Sequence, residues 1–219
     1  MQSDRLPKHV LIIPDGGRRW AEKHGKPRFE GHLEGAKRFN EISRTAFEIG
    51  AWYFTFWTAS YNNLTKRSHS EVQALFSLLR HELEAENTLS SLLEDKIKFR
   101  VVGNWFEVKP DTYLLDVIKH LERKTHDFSQ HHLTLLFGYN GTAKELGIMR
   151  SALPPVDLMI RTASCEEGPN WTHNSCGLMA LLADDGRLYS PPTLWPDFTT
   201  DKFHKVVEEF SRVSRKHGA

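Results

Sequence analysis

Cysteine is nearly missing from these 219 residues: Cys165 and Cys176 are the only two, too few for a disulfide framework. An excess of one charge is missing too. Lysine and arginine together number 29 against 28 acids, a formal net charge of +1. That removes any global pull toward nucleic acid, and no basic stripe is present. No apolar run reaches the ~20 residues of a membrane-spanning helix. The opening Met1-Gln2-Ser3-Asp4-Arg5 lacks the apolar centre of a signal peptide. Neither a Walker A loop nor G-x-G-x-x-G occurs, which weakens any nucleotide reading. No repeat, low-complexity tract or linker interrupts the chain. What is left is the profile of a cytoplasmic protein folded as one domain over residues 1–219, with ordinary hydrophobic (39%) and charged (26%) content.

One stretch stands out from this background. His9-Val10-Leu11-Ile12-Ile13 is an apolar run that stops at Pro14-Asp15-Gly16-Gly17, and Arg18-Arg19-Trp20 follow at once. The pattern predicts a buried strand, a glycine turn and the first turn of a helix. Glycine lets the backbone approach a ligand, and a helix start presents free N–H groups suited to phosphate. Arg18 and Arg19 could add charge-assisted bonds. An acid amid phosphate binders, Asp15, suggests a Mg²⁺ bridge. The competing reading is a structural turn in which Asp15 caps the helix.

The rest of the chain alternates strands with helices, which predicts an α/β fold with a parallel sheet. Strands are expected at Trp52–Trp57, Lys98–Val102, Leu133–Phe137, Val156–Ile160 and Arg187–Tyr189. Apolar residues at helical spacing predict helices around Leu33–Ile49, Val72–Leu83, Leu114–Leu121, Ala143–Ala152, Gly177–Ala183 and Phe203–Val213. Ser68-x-x-Glu71 is a capping box. The Val72, Leu75, Phe76, Leu79, Leu83 stripe fits either core or the wall of an apolar tunnel. Thr58 to Arg67, rich in hydroxyls and amides, reads as a loop at a strand's carboxyl end, where α/β proteins carry chemistry. Cys165, His173 and Cys176 have the wrong spacing for a zinc site and lack a fourth ligand.

Taken together, these residues resemble a known family. His9-Val10 through Pro14-Asp15-Gly16-Gly17-Arg18-Arg19-Trp20, then Gly31-His32-x-x-Gly35, is similar to the opening of the cis-prenyltransferases, the undecaprenyl diphosphate synthase family. Pro155-Val156-Asp157-Leu158 through Arg161-Thr162, and Leu194-Trp195-Pro196-Asp197-Phe198, resemble its closing motifs. The resemblance implies a parallel sheet flanked by helices, an apolar tunnel for a prenyl chain, a homodimer, and Mg²⁺ as cofactor. It implies that Asp15 handles Mg²⁺ and the leaving diphosphate, while Gly16, Gly17, Arg18, Arg19, Arg28 and His32 hold phosphates. Ser60 and Asn63 match positions near the reacting carbons, and Arg161 matches an arginine for the second diphosphate. Trp20, Tyr61, Arg67, His173 and Ser175 complete the expected substrate contacts.

The departures from the family pattern carry information. Pro14 and Gly17 stand where the family has Met and Asn. Asn62 and Leu64 stand where it has an acid and a tryptophan. His173-Asn174-Ser175 replaces its Arg-x-Ser, and its metal-binding glutamate falls beside Gly186-Arg187, with Asp184 and Asp185 upstream. The second diphosphate site is thereby weakened, since each charge-assisted bond contributes about 1.5–3 kcal/mol. This pattern is closer to the cyclolavandulyl diphosphate synthase branch, which joins two short allylic diphosphates head-to-middle. The alternatives are regular cis condensation with isopentenyl diphosphate, transfer to a non-diphosphate acceptor or cyclisation of one prenyl diphosphate, and a catalytically silent partner subunit.

Overall fold

The computed structural model describes residues 6–163 and 177–212. Cys165 and Cys176, the expected substrate contacts His173 and Ser175, and Val213 at the end of the expected final helix lie outside the described residues.

The opening apolar run forms β1 (His9–Ile13), every residue of it buried. The chain continues through α1 (Gly17–Lys23), α2 (Arg28–Glu48), β2 (Tyr53–Ser60), α3 (Tyr61–Lys66), α4 (His69–Glu84) and α5 (Glu86–Glu94). Then come β3 (Ile97–Val102), α6 (Trp105–Val108), α7 (Thr112–Lys124), β4 (His131–Tyr139), α8 (Ala143–Ala152) and β5 (Val156–Arg161). After the undescribed stretch a 3-10 turn at Leu178–Leu181 leads into β6 (Leu182–Tyr189), and α9 (Thr200–Arg212) closes the described chain.

The six strands form one sheet in the order β3-β4-β2-β1-β5-β6. Every pairing is parallel. Both faces of the central strands are covered, which is why β1, β2, β4 and β5 read mainly as apolar runs, whereas the edge strands β3 and β6 carry charged residues. Val10, Ile12, Phe54, Phe56, Phe99, Leu133 and Leu135 face the helices α2, α4, α5, α7 and α9. Leu11, Ile13, Trp57, Leu136 and Met159 pack on the other side, under α8 and the 3-10 turn. At the β3 edge, α7 supplies side-chain acceptors for unpaired backbone donors. Phe99 N–H donates to Thr125 Oγ1 and Val101 N–H to Glu122 Oε1, both at 3.0 Å. An edge so occupied does not recruit another strand.

Three expectations need correction. Thr58 to Arg67 is not a loop: β2 runs on to Ser60, and α3 follows directly. The cause is a reciprocal cap in which Asn63 N–H donates to Ser60 Oγ and Ser60 N–H donates to Asn63 Oδ1. Asn at the third helical position hides this from a search for Glu or Gln. The short helices α5 and α6 were not anticipated. Finally, the helix expected at Gly177–Ala183 is a single 3-10 turn, and the last strand begins at Leu182 rather than Arg187. Its register jumps from Val156↔Leu182 to Leu158↔Arg187. Gly186 permits the bulge, because a Cβ there would stand 2.7 Å from Val156 O.

Candidate functional site

The chain leaves β1 on one side to build β2, β4 and β3, and on the other side lie β5 and β6. The carboxyl ends beside β1 are therefore a topological switch point, where open α/β sheets bind ligands. Asp15 follows β1 there, and Arg161 ends β5, because Ile13 and Arg161 are register partners. Arg161 Nε donates to Asp15 Oδ2 at 2.9 Å. The alternative that Asp15 caps α1 is not what the structure shows: the cap position is Gly16, with no side-chain cap bond. Gly16 sits at φ +103°, and a Cβ there would meet Leu194 at 2.8 Å and Ala163 at 2.9 Å.

The turn is held from outside by the motif near the end of the chain. Trp195 N–H donates to Asp15 O at 2.9 Å and Thr162 Oγ1 to the same oxygen at 2.8 Å. The Trp195 indole donates to Gly35 O at 2.9 Å, and the Trp20 indole donates to Asp197 Oδ1 at 2.8 Å. The two ends of the sequence that look most distinctive are thus one structure, the second bracing the first. Gly31 lets α2 lie against α1, since a Cβ on it would stand only 2.0 Å from Gly17 O. That crossing sets His32 beside the turn.

A cavity of about 1490 Å³ opens at this corner and runs down the sheet between α2, α4 and α5. Its mouth is lined by Asp15, Gly16, Gly17, Arg18, Arg19, Arg28, His32, Thr58, Asn63, Arg67 and Arg161. Its depth is lined by Phe39, Phe56, Leu75, Leu79, Leu133 and Leu135, and beyond them by Phe47, Leu83, Ile97, Phe99 and His131. Leu75, Leu79 and Leu83 therefore serve as cavity wall, while Val72 and Phe76 of the same stripe do not line it. Asn40 Nδ2 donates to Glu82 Oε2 at 3.1 Å, linking α2 to α4.

The polar mouth holds donors without partners. His32 Nε2, Thr58 Oγ1 and Arg67 Nε are buried and hydrogen-bonded to nothing among the described residues. Burial, then the Arg67 and Arg18 charges, push His32 down to about 4, with Glu71 opposing. It is a neutral imidazole near pH 7. Burial and the Arg18 charge also lower the Arg67 guanidinium below its ordinary range, against Glu71 and Asp15. A cationic donor left unpaired in a partly dry cleft is costly unless an anion completes it. The arrangement suits a multiply charged anion carrying an apolar tail.

Not every residue expected from sequence reaches the cavity. Trp20 braces the turn through Asp197, stacks on His24 and lies under Lys26, so it is not among the lining residues. Ser60 is 2% exposed and serves as the cap that fixes Asn63. Tyr61 begins α3 and also stays off the lining. Arg28 lines the mouth but is exposed and ion-paired with Glu22 at 3.2 Å. Asp184 and Asp185 precede Arg187, the partner of Leu158, and so lie toward the opposite end of the sheet from Asp15. They do not join it. Among the described residues no cluster of three or more histidines, cysteines and acids forms a preassembled metal site. Glu71 was legible only as a cap; its charge on His32 and Arg67 depends on the α2–α4 packing.

The fold and corner define a parallel α/β protein with a cation-rich cleft at its sheet switch point, and comparison with known proteins makes the class specific. A family model describing undecaprenyl diphosphate synthases matches residues 13–149. An isoprenyl transferase of Aquifex pyrophilus is 32% identical, over 98% of this chain and 96% of its own. Dehydrodolichyl diphosphate synthase 3 of Arabidopsis thaliana is 28% identical, over 100% of this chain and 78% of its own. The crystal structure of lavandulyl diphosphate synthase from Lavandula x intermedia, in complex with dimethylallyl diphosphate, superposes with a TM-score of 0.82 at 26% identity. That match covers 99% of this chain and 100% of the other. The chain belongs to the undecaprenyl diphosphate synthase family, the cis-prenyltransferases, and is a prenyltransferase. No helix among its described residues is long and apolar enough to cross a membrane.

Proposed function

We propose that the enzyme transfers a short allylic prenyl group, dimethylallyl or geranyl, from its diphosphate to a second isoprenoid diphosphate in a head-to-middle condensation. The observation that carries this reading is the set of buried, unpartnered donors His32 Nε2, Thr58 Oγ1 and Arg67 Nε at the mouth of an apolar cleft. The fold it shares with lavandulyl diphosphate synthase supports the non-standard outcome. The product is short and branched, and cyclisation of it is an open outcome for product analysis.

In this reading Arg18, Arg67, His32 and the first N–H groups of α1 hold the departing diphosphate. Preorganised donors of this kind stabilise charge as it develops, without reorganisation at the moment of reaction. Arg161 takes part of the second diphosphate. Phe39 and Phe56 line the cleft beyond the mouth and keep water from an allylic cation held there. Asn63, fixed by the Ser60 cap, lines the mouth, and in this reading the leaving diphosphate serves as the base for the proton that the condensed product loses. Asp15 is the carboxylate that fits Mg²⁺. It borders the anion seat, and Mg²⁺ is commonly held by one or two carboxylates together with substrate phosphates. When bound, the ion supplies charge neutralisation of the leaving diphosphate. The family's usual homodimer and a cytoplasmic setting complete the proposal.

The test is turnover by the purified chain with Mg²⁺ and dimethylallyl or geranyl diphosphate, each alone, paired with the other, and paired with isopentenyl diphosphate, with products identified by mass spectrometry. Branched products from allylic substrates alone support the reading. Linear products that need isopentenyl diphosphate replace it with regular cis condensation, the reading favoured by the retained Arg161. Release of no diphosphate from any donor rejects both.

A further inference from the structure

The Asp15 carboxylate is already engaged within the protein. Arg161 Nε lies 2.9 Å from its Oδ2, with the arginine side chain 8% exposed and the aspartate side chain 28% exposed. The pair follows from topology, because parallel neighbours in register at Ile13 and Arg161 bring their strand ends together. Arg67 also feels the Asp15 charge, and Arg18 and Glu71 act on Arg67 in turn. Arg19 and Arg28 line the same mouth, so guanidinium groups outnumber carboxylates there. A divalent cation arriving alone adds to that positive excess in a partly desolvated site, where charge repulsion is strong, and a diphosphate arriving with it offsets the excess.

We propose that Arg161 is the resident counter-ion of Asp15 and releases the carboxylate to a divalent cation only when a diphosphate engages the guanidinium. This rests on the diphosphate reading of the cleft. Arg161 then acts as a positioning residue toward the metal as well as a ligand of the anion. Metal and diphosphate bind as a coupled pair, and each raises the affinity for the other. A cation is kept out of a cleft that holds no substrate.

The test uses the full chain and two probes applied separately. Mn²⁺ alone is titrated and followed by the electron paramagnetic resonance signal of the free aqua ion. Arg161→Gln is expected to bind Mn²⁺ about tenfold or more tightly than wild type, within the range of couplings between sites. Arg67→Gln, which removes an equal charge without breaking an ion pair to Asp15, gives a smaller gain. In a second arm, inorganic pyrophosphate is titrated calorimetrically in the presence of EDTA. Asp15→Asn is expected to bind it about tenfold more tightly than wild type, because Arg161 then has no ion pair with Asp15 to give up. Circular dichroism melts check that each variant folds, and if Arg161→Gln does not, the Asp15→Asn arm decides. Equal Mn²⁺ affinity in wild type and Arg161→Gln overturns the proposal, and so does equal metal-free pyrophosphate affinity in wild type and Asp15→Asn. Wild type that binds no pyrophosphate, with or without metal, rejects the diphosphate reading itself.

Discussion

Replacing Arg67 by Met should move stability and binding in opposite directions. The wild-type side chain buries its Nε without a partner and stands near Arg18. An unsatisfied buried donor costs about 1–3 kcal/mol, and Met fills similar space without a polar atom. Part of that cost is offset by the Glu71 and Asp15 charges. A net stabilisation of about 1 kcal/mol is expected, which corresponds to a rise in Tm of about 2–4 °C for a chain of this size. The same change removes a charge-assisted bond to the diphosphate, a loss of about 1.5–3 kcal/mol. Affinity should fall about ten- to 150-fold. Differential scanning calorimetry of the free protein and calorimetric titration with pyrophosphate and Mg²⁺ measure both. The reasoning fails if Tm drops while affinity holds, for then Arg67 is a structural residue with a partner supplied from within the protein.

Acid should weaken the fold well before the carboxylates titrate. His9 Nδ1 donates to Pro154 O and, in the neutral ring, Nε2 accepts from Thr55 Oγ1, both at 2.8 Å, and burial pushes the imidazole down to about 4. Unfolded histidine binds its proton near pH 6.5 and folded His9 does not until about pH 4, so stability falls as pH drops through that window. His32 adds a contribution of the same sign in the free protein. Thermal melts from pH 7 to 4 should show the decline, and a flat profile would contradict the burial of both imidazoles. Gly31→Ala should destabilise by several kcal/mol, because its Cβ would meet Gly17 O at 2.0 Å, backbone that cannot step aside; an unchanged denaturant midpoint refutes the close crossing. Trp20→Phe should cost about 1 kcal/mol through the lost bond to Asp197 and leave pyrophosphate affinity within about twofold. A tenfold loss of affinity there would return Trp20 to the substrate contacts expected from sequence.

Much of this was legible before any coordinates. Five of the six strands were expected close to where they stand, because burial on both faces writes a parallel strand as a plain apolar run. The turn after β1 was legible for a related reason: Asp15, Gly16 and Gly17 at the end of such a run mark a tight strand-to-helix corner. The bulged start of β6 was not, since Ala183-Asp184-Asp185-Gly186 has no strand propensity and owes its place to the Val156 partner. Nor was α3, whose cap depends on an asparagine acting as glutamate usually does.

Chain order and residue type were enough to determine the parallel sheet, the glycine turn after β1 and the membership of the family, because those depend on local burial and on short contiguous motifs. Tertiary packing alone decided what each neighbouring side chain does there. It turned Trp20 into a brace, made Ser60 the cap for Asn63, left the Arg67 Nε without a partner among the described residues, and gave Asp15 a guanidinium from a strand 146 residues away. Pairings of that kind arise from strand register and helix crossing, which no local pattern encodes.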